Sequence, residues 1–276
     1  NSEKVTNQGD SYIWNIPNTI TSGDGGANNP LAISIASLYC PSNGVTSSKP
    51  NDHTAGSNYK FIVGDSPGDG TLLNGASYRG AVGKGQYIDM SAVTDGTSNT
   101  LVFGERAMIL CRQASRKVKT TFPNTTSSAI WNAGSSTVAS TLKSRKAIYD
   151  LAANGEYLAA SPITMGQYGS NFGWNYAGGP QWGCLTTIMP PNAPGCYYGA
   201  VTWTSVVPLT SFHTSGVNAC LLDGSVRFVS ETVDAGTADT YPAGQINSQG
   251  AVTGPSPFGV WGAAGSRDGG EAVSLP

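Results

Sequence analysis

Charge is scarce in this chain: Asp, Glu, Lys and Arg make up 12% of the 276 residues, and the net charge is −2. Nucleic-acid phosphates demand a basic face, and the composition supplies none. The one basic run, from Arg112 to Lys119, reads as a solvated loop. No stretch of about 18 apolar residues occurs, so no segment reads as a membrane-spanning helix, and Asn1 to Asp10 is too polar for a signal peptide. Histidine is limited to two residues, and none of the five cysteines forms a Cys-x-x-Cys pair. That pattern speaks against a zinc ribbon, a thioredoxin-like site and catalytic zinc. Gly-x-Ser-x-Gly, Walker and dinucleotide fingerprints are missing too, so the glycine-rich stretches 64–70 and 80–85 read as loops.

Glycine and proline are plentiful, at 36 and 16 residues, which favours many short elements joined by turns. The expected class is α+β and β-rich. A chain of this length can form one large domain or two ordinary ones. Strand candidates are Tyr12 to Ile16, the alternating Asn58 to Val63, and Thr100 to Glu105, the last expected at the centre of a sheet. Leu31 to Leu38 fits either a short helix or a buried strand. Val138 to Ala153 reads as a helix, with Ser135 or Ser136 as N-cap and Asn154-Gly155 as its stop. Val217 to Leu222 and Ser225 to Ser230 alternate around Asp223-Gly224, which predicts a hairpin closed by a two-residue type I′ turn. Pro257 to Gly262 reads as a short strand.

Three groups of residues invite chemistry. Asp95-Gly96-Thr97-Ser98-Asn99 concentrates oxygen ligands, so Asp95 and Asn99 are candidates for a hard cation such as calcium; the alternative is a turn whose side chains cap backbone amides. A second acid would be needed, and Asp89, Glu105, Asp223 and Glu231 are the nearby candidates. His213 with Asp223 and Ser211 or Ser215 has the residue types of a hydrolase triad, but a turn Asp is poorly placed behind an imidazole. His213 is therefore expected to bond backbone at the hairpin entrance. Trp174, Trp182 and Trp203 lie in an aromatic-rich stretch, where they either stack on sugars or fill an irregular core.

Cys184 and Cys196 bracket a Pro/Gly loop that a disulfide would clasp. Cys40 and Cys111 offer a second bridge, and Cys220 reads as a buried thiol. Any bridge places the chain outside the cytoplasm.

Five segments, taken together, carry a family likeness. They are Tyr39-Cys-Pro-Ser42, Val93-Thr-Asp-Gly-Thr-Ser-Asn-Thr-Leu-Val-Phe-Gly-Glu-Arg106, Pro190-Pro-Asn-Ala-Pro-Gly-Cys196, His213 standing nine residues before Asp223-Gly224, and Phe258 to Glu271. In this order they resemble the prepilin-type, processing-associated His-(nine residues)-Asp-Gly family, domain of unknown function 1559, over about residues 38 to 274. The resemblance implies a type IV pilin-like head: an antiparallel sheet with long irregular loops, one domain over 1–276 carrying a loop-rich insertion at about 112–208. Asp95, Gly96, Thr97, Ser98, Asn99, His213, Asp223 and Gly224 would be its structural landmarks. Family members begin with a leader and a long apolar helix, absent from this chain, which would be the sole membrane contact. The implied role is a non-enzymatic, extracellular or cell-surface subunit that associates with copies of itself. The alternatives are an adhesin or carbohydrate-binding module recognising surface glycans, and an extracellular hydrolase.

Overall fold

The computed structural model describes residues 35–44, 57–67, 78–83, 88–108, 116–132, 141–164, 184–198, 204–245, 252–271 and 273–276. Tyr12 to Ile16, Cys111, Ser135, Ser136, Val138, Trp174, Trp182 and Trp203 lie outside them. Among the described residues no helix is long and apolar enough to cross a membrane.

The fold is α+β and mostly sheet. Its main strands are β1 (Tyr59–Ile62), β2 (Leu101–Glu105), β7 (Cys184–Leu185), β10 (Gly216–Leu221) and β11 (Val226–Ser230), joined in the order β11-β10-β2-β1-β7. β2 is central, as its β-branched and aromatic sequence predicts. The sheet is not wholly antiparallel: β7 runs parallel to β1, pairing Phe61 with Cys184. A parallel neighbour needs a long return connection, and the excursion between β2 and β7 supplies it.

Alternation assigns the faces. Ile62, Leu101, Leu185, Val217, Ala219, Leu221 and Val229 line one side and share a core with Trp261 and Ala264. Strict alternation would put Leu101 and Phe103 on the same face. The β2–β10 register breaks between Cys220 and Leu221, which face Phe103 and Leu101. The extra residue, Val102, is a β-bulge that returns Leu101 to the core while Phe103 points out.

The β10–β11 hairpin corrects the expected turn. Gly224 N bonds Leu221 O at 2.9 Å and Leu221 N bonds Ser225 O at 2.8 Å, so the loop is Leu222-Asp223-Gly224. Only Gly224 has positive φ, +88°. This is a type I turn followed by a left-handed glycine. Leu222 N and Asp223 N leave the hairpin to bond Thr100 O and Thr97 O, which favours the longer loop.

The segment between β2 and β7 builds a second core around Trp131, Leu142, Ile148, Tyr157, Met189 and Phe258. The expected helix from Val138 to Ala153 is broken up. β4 (Thr141–Leu142) pairs with β3 (Trp131–Asn132), and the helix α1 covers only Arg145–Tyr149. Ser144 is extended at φ −153°, and its hydroxyl accepts from Ala147 N, so Ser144 is the N-cap. Asn154 and Gly155 have φ +53° and +77° and close a hairpin between β5 (Ala152–Ala153) and β6 (Glu156–Tyr157), where the type I′ geometry does occur. Arg145 ties this core to the rest by donating to Ile188 O, Ala235 O and Gly236 O.

Pro257 to Gly262 is not a strand. Gly259–Gly265 forms helix α2, with Trp261 and Ala264 in the core. Small residues decide this: a Cβ on Gly265 would stand 2.0 Å from Thr187 Oγ1. β8 (Cys196–Tyr197) pairs with β9 (Ser205–Val206). The expected clasp between Cys184 and Cys196 is not formed. Cys184 sits in the main sheet, whereas Cys196 is wholly buried in the second core. Cys220 is a half-buried thiol whose Sγ donates to Leu221 O.

The two glycine-rich loops meet at their first residues, where Gly80 N bonds Val63 O at 2.8 Å. A Cβ on Gly80 would lie 2.6 Å from Val63 C and 2.7 Å from Ile62 O, both backbone. Gly80→Ala is therefore expected to cost about 1–3 kcal/mol, measured by urea unfolding. Lys60 faces the core beside β2, and burial pushes its amine down to about 7, with Cys184 opposing and Arg106 adding to the fall. Between about pH 7 and the ordinary lysine range the unfolded chain binds the extra proton, so stability rises with pH across that window. Lys60→Met should flatten the rise, as read from urea unfolding across that window.

Candidate functional site

The end of β2 places Glu105 on the same face as Phe103, yet Glu105 is only 2% exposed. Its cover comes from distant segments. Across the sheet, Asn218 on β10 donates its backbone N–H to Glu105 Oε2 at 2.7 Å and its side-chain amide to Oε1 at 3.1 Å. His213 Nε2 stands 3.1 Å from the same Oε1.

His213 is held by the loop that starts β10. Ser211 Oγ accepts from His213 N at 3.1 Å and donates to Gly216 O at 2.6 Å. Over the other side of the ring lies Cys40-Pro41-Ser42-Asn43, a tight 3-10 turn. Cys40 Sγ is 3.5 Å from Nε2, and Ser42 Oγ is 3.3 Å from Nδ1. Asn58, the residue before β1, fixes this turn by accepting from Cys40 N and donating to Asn43 Oδ1, and ties it to Arg106 O. Burial pushes the Tyr59 phenol up, with the neighbouring Cys40 and Glu105 adding to the shift.

The imidazole therefore bonds side chains, not the backbone partner expected from sequence. Its neighbours Cys40, Ser42 and Glu105 were not linked to it by sequence reasoning, although each falls in a segment carrying the family likeness. Cys40 is a thiol in this cluster and not half of a bridge. Among the described residues, Cys40, Glu105 and His213 form the one group whose donor atoms lie close enough to hold an ion, all within 4.8 Å of one another.

The hydrolase arrangement proposed by residue type does not assemble. Asp223 lies at the opposite end of β10, where its carboxylate accepts from Ser225 N at 2.8 Å and Ser225 Oγ at 2.7 Å. The acid beside His213 is instead Glu105, and Ser42 lies on the ring's other nitrogen. In the turn of Ser42 the nearest amides, Asn43 N and Gly44 N, are spent on Cys40 O and Pro41 O and so do not point at a developing oxyanion.

The Asp95 loop has a different task. Asp95 Oδ2 and Oδ1 accept from Gly269 N at 2.8 Å and Gly270 N at 3.0 Å. Asp95 N bonds Arg267 O, and Arg267 donates to Tyr78 O and Gly80 O. Asn99 donates its side-chain amide to Asp95 O at 2.9 Å. The carboxylate thus caps amides of the C-terminal turn, the alternative to a calcium ligand. Asn192 does similar work in the Pro-Pro-Asn loop: at φ +64° it accepts from Ser211 N and donates to Glu231. Gly96, Thr97 and Ser98 complete the Asp95 turn, with Gly96 at φ +96°.

Fold and site together define a β-rich α+β protein whose short sequence motifs converge on shared contacts. The chain matches the family described as Protein of unknown function (DUF1559) over residues 8–236 and belongs to it. No curated protein and no solved structure matches the chain.

If the Asp95 carboxylate secures the C-terminal turn, Asp95→Ala should cost about 1–3 kcal/mol through two orphaned amides. Hydrogen exchange at 267–271 should accelerate; unchanged protection there would refute the assignment.

Proposed function

We propose that this chain is the head of a non-enzymatic, pilin-like structural subunit, working outside the cytoplasm by contact with copies of itself. The observation that carries the reading is the outer face of the main sheet. Phe61, Phe103, Cys220 and Val226 occupy one unbroken cross-strand row. Phe61 and Phe103 stack with ring centroids 4.6 Å apart. Phe228 lies one row away, and Val226 and Phe228 are 65% and 51% exposed. Contiguous exposed apolar surface of this kind marks interaction sites in soluble domains, and a self-contact buries it without desolvating charge. The motif residues support the same reading, since Asp95, Asn192 and Asp223 spend their polar atoms on holding loops.

The test is self-association of the full-length gene product, followed by sedimentation and electron microscopy. The unaltered protein should form oligomers or filaments with symmetric interfaces above about 1,000 Å². Val226→Lys with Phe228→Glu should leave monomers whose thermal stability is little changed. An unaltered protein that stays monomeric at every concentration would sink the proposal.

A further inference from the structure

We propose that Cys40, Glu105 and His213 bind one zinc-class divalent ion, through Sγ, a carboxylate oxygen and Nε2. This goes beyond the structural role above and does not depend on assembly.

The donor set points to the ion. Calcium and magnesium take oxygen ligands, whereas sulfur, imidazole nitrogen and carboxylate together suit zinc and its neighbours. Distances agree. Usual zinc bond lengths in a tetrahedron put sulfur and nitrogen about 3.5 Å apart, and nitrogen and oxygen about 3.3 Å apart. The observed separations are 3.5 Å for Cys40 Sγ to His213 Nε2 and 3.1 Å for His213 Nε2 to Glu105 Oε1. Two edges of the coordination shell are already set, and on the third Cys40 Sγ lies within 4.8 Å of the carboxylate.

Proton accounting points the same way. Both short contacts converge on one nitrogen, Nε2. A ring nitrogen either donates a proton or accepts one. Its single proton would have to be divided between Glu105 and the Cys40 sulfur, or leave one of them without that bond. A cation satisfies sulfur, nitrogen and oxygen together.

The surroundings fit as well. Metal-bound imidazoles characteristically hydrogen-bond through their second nitrogen, and Nδ1 has Ser42 Oγ at 3.3 Å. Glu105 is oriented by the backbone N–H and side-chain amide of Asn218, and the Cys40 backbone is fixed by Asn58. Cys40 is 4% and Glu105 2% exposed, while the His213 side chain is 28% exposed, leaving solvent access for a fourth ligand. The ion would join segments separated by 108 and 173 residues.

Cobalt(II) is the probe. The full chain, kept reduced, is stripped with a chelator and titrated with cobalt. The expected result is one ion per chain and a near-ultraviolet thiolate-to-cobalt band that zinc abolishes. Cys40→Ser should lose the band, and His213→Gln should lose at least tenfold in affinity. Ser42→Ala, an exposed change that preserves the fold, should weaken binding about tenfold by releasing Nδ1. Absence of the band, its survival in Cys40→Ser, or unchanged affinity in both His213→Gln and Ser42→Ala would overturn the proposal.

Discussion

A carboxylate buried at the end of the central strand is the constraint around which the surrounding parts arrange themselves. Taking a charge such as Glu105 out of water costs several kcal/mol unless hydrogen bonds or counter-charges replace the solvent. β2 alone cannot provide those partners. They come from β10 through Asn218 and from the approach to β10 through His213. Cys40 and Ser42 then close over the imidazole. The result binds the start of the described chain, the middle strand and the last hairpin through one cluster, with a packed sheet on its other side.

The opposite end of β2 is organised by a second buried acid. Asp95 precedes the strand and captures the amides of Gly269 and Gly270. The same C-terminal turn is gripped by Arg79, whose guanidinium reaches Asp65, Gly254 O and Ser266. The central strand is therefore pinned at both ends by side chains that satisfy distant loops. This suits a glycine-rich chain: short elements contribute few ladder bonds of their own, so side-chain-to-backbone bonds hold the connections.

Seen together, the two faces of the sheet divide the work. One face is sealed by Trp261 and the aliphatic core. The other presents Phe61, Phe103, Val226 and Phe228, with the Cys40–Glu105–His213 cluster along the same face beyond them. A metal bound there would stiffen the border of the surface proposed for self-contact.

Local pattern by itself determined the β-rich character, the central position of β2, and the existence of the hairpin around Asp223-Gly224, because alternation and turn chemistry act over a few residues. It failed where short-range rules compete with packing. Leu142 has helical spacing from Val138 but pairs with Trp131 in a strand, and Trp261 lies in a helix because Gly262 and Gly265 admit close neighbours. It also failed for the site. The sequence singled out His213, Asp95 and Cys40 separately, and the likeness among motifs joined them as a family. Only the tertiary structure decided that His213 meets Glu105 and Cys40 while Asp223 stands apart. Those contacts span tens to hundreds of residues, and no spacing rule in one dimension encodes which buried charge a distant ring will satisfy.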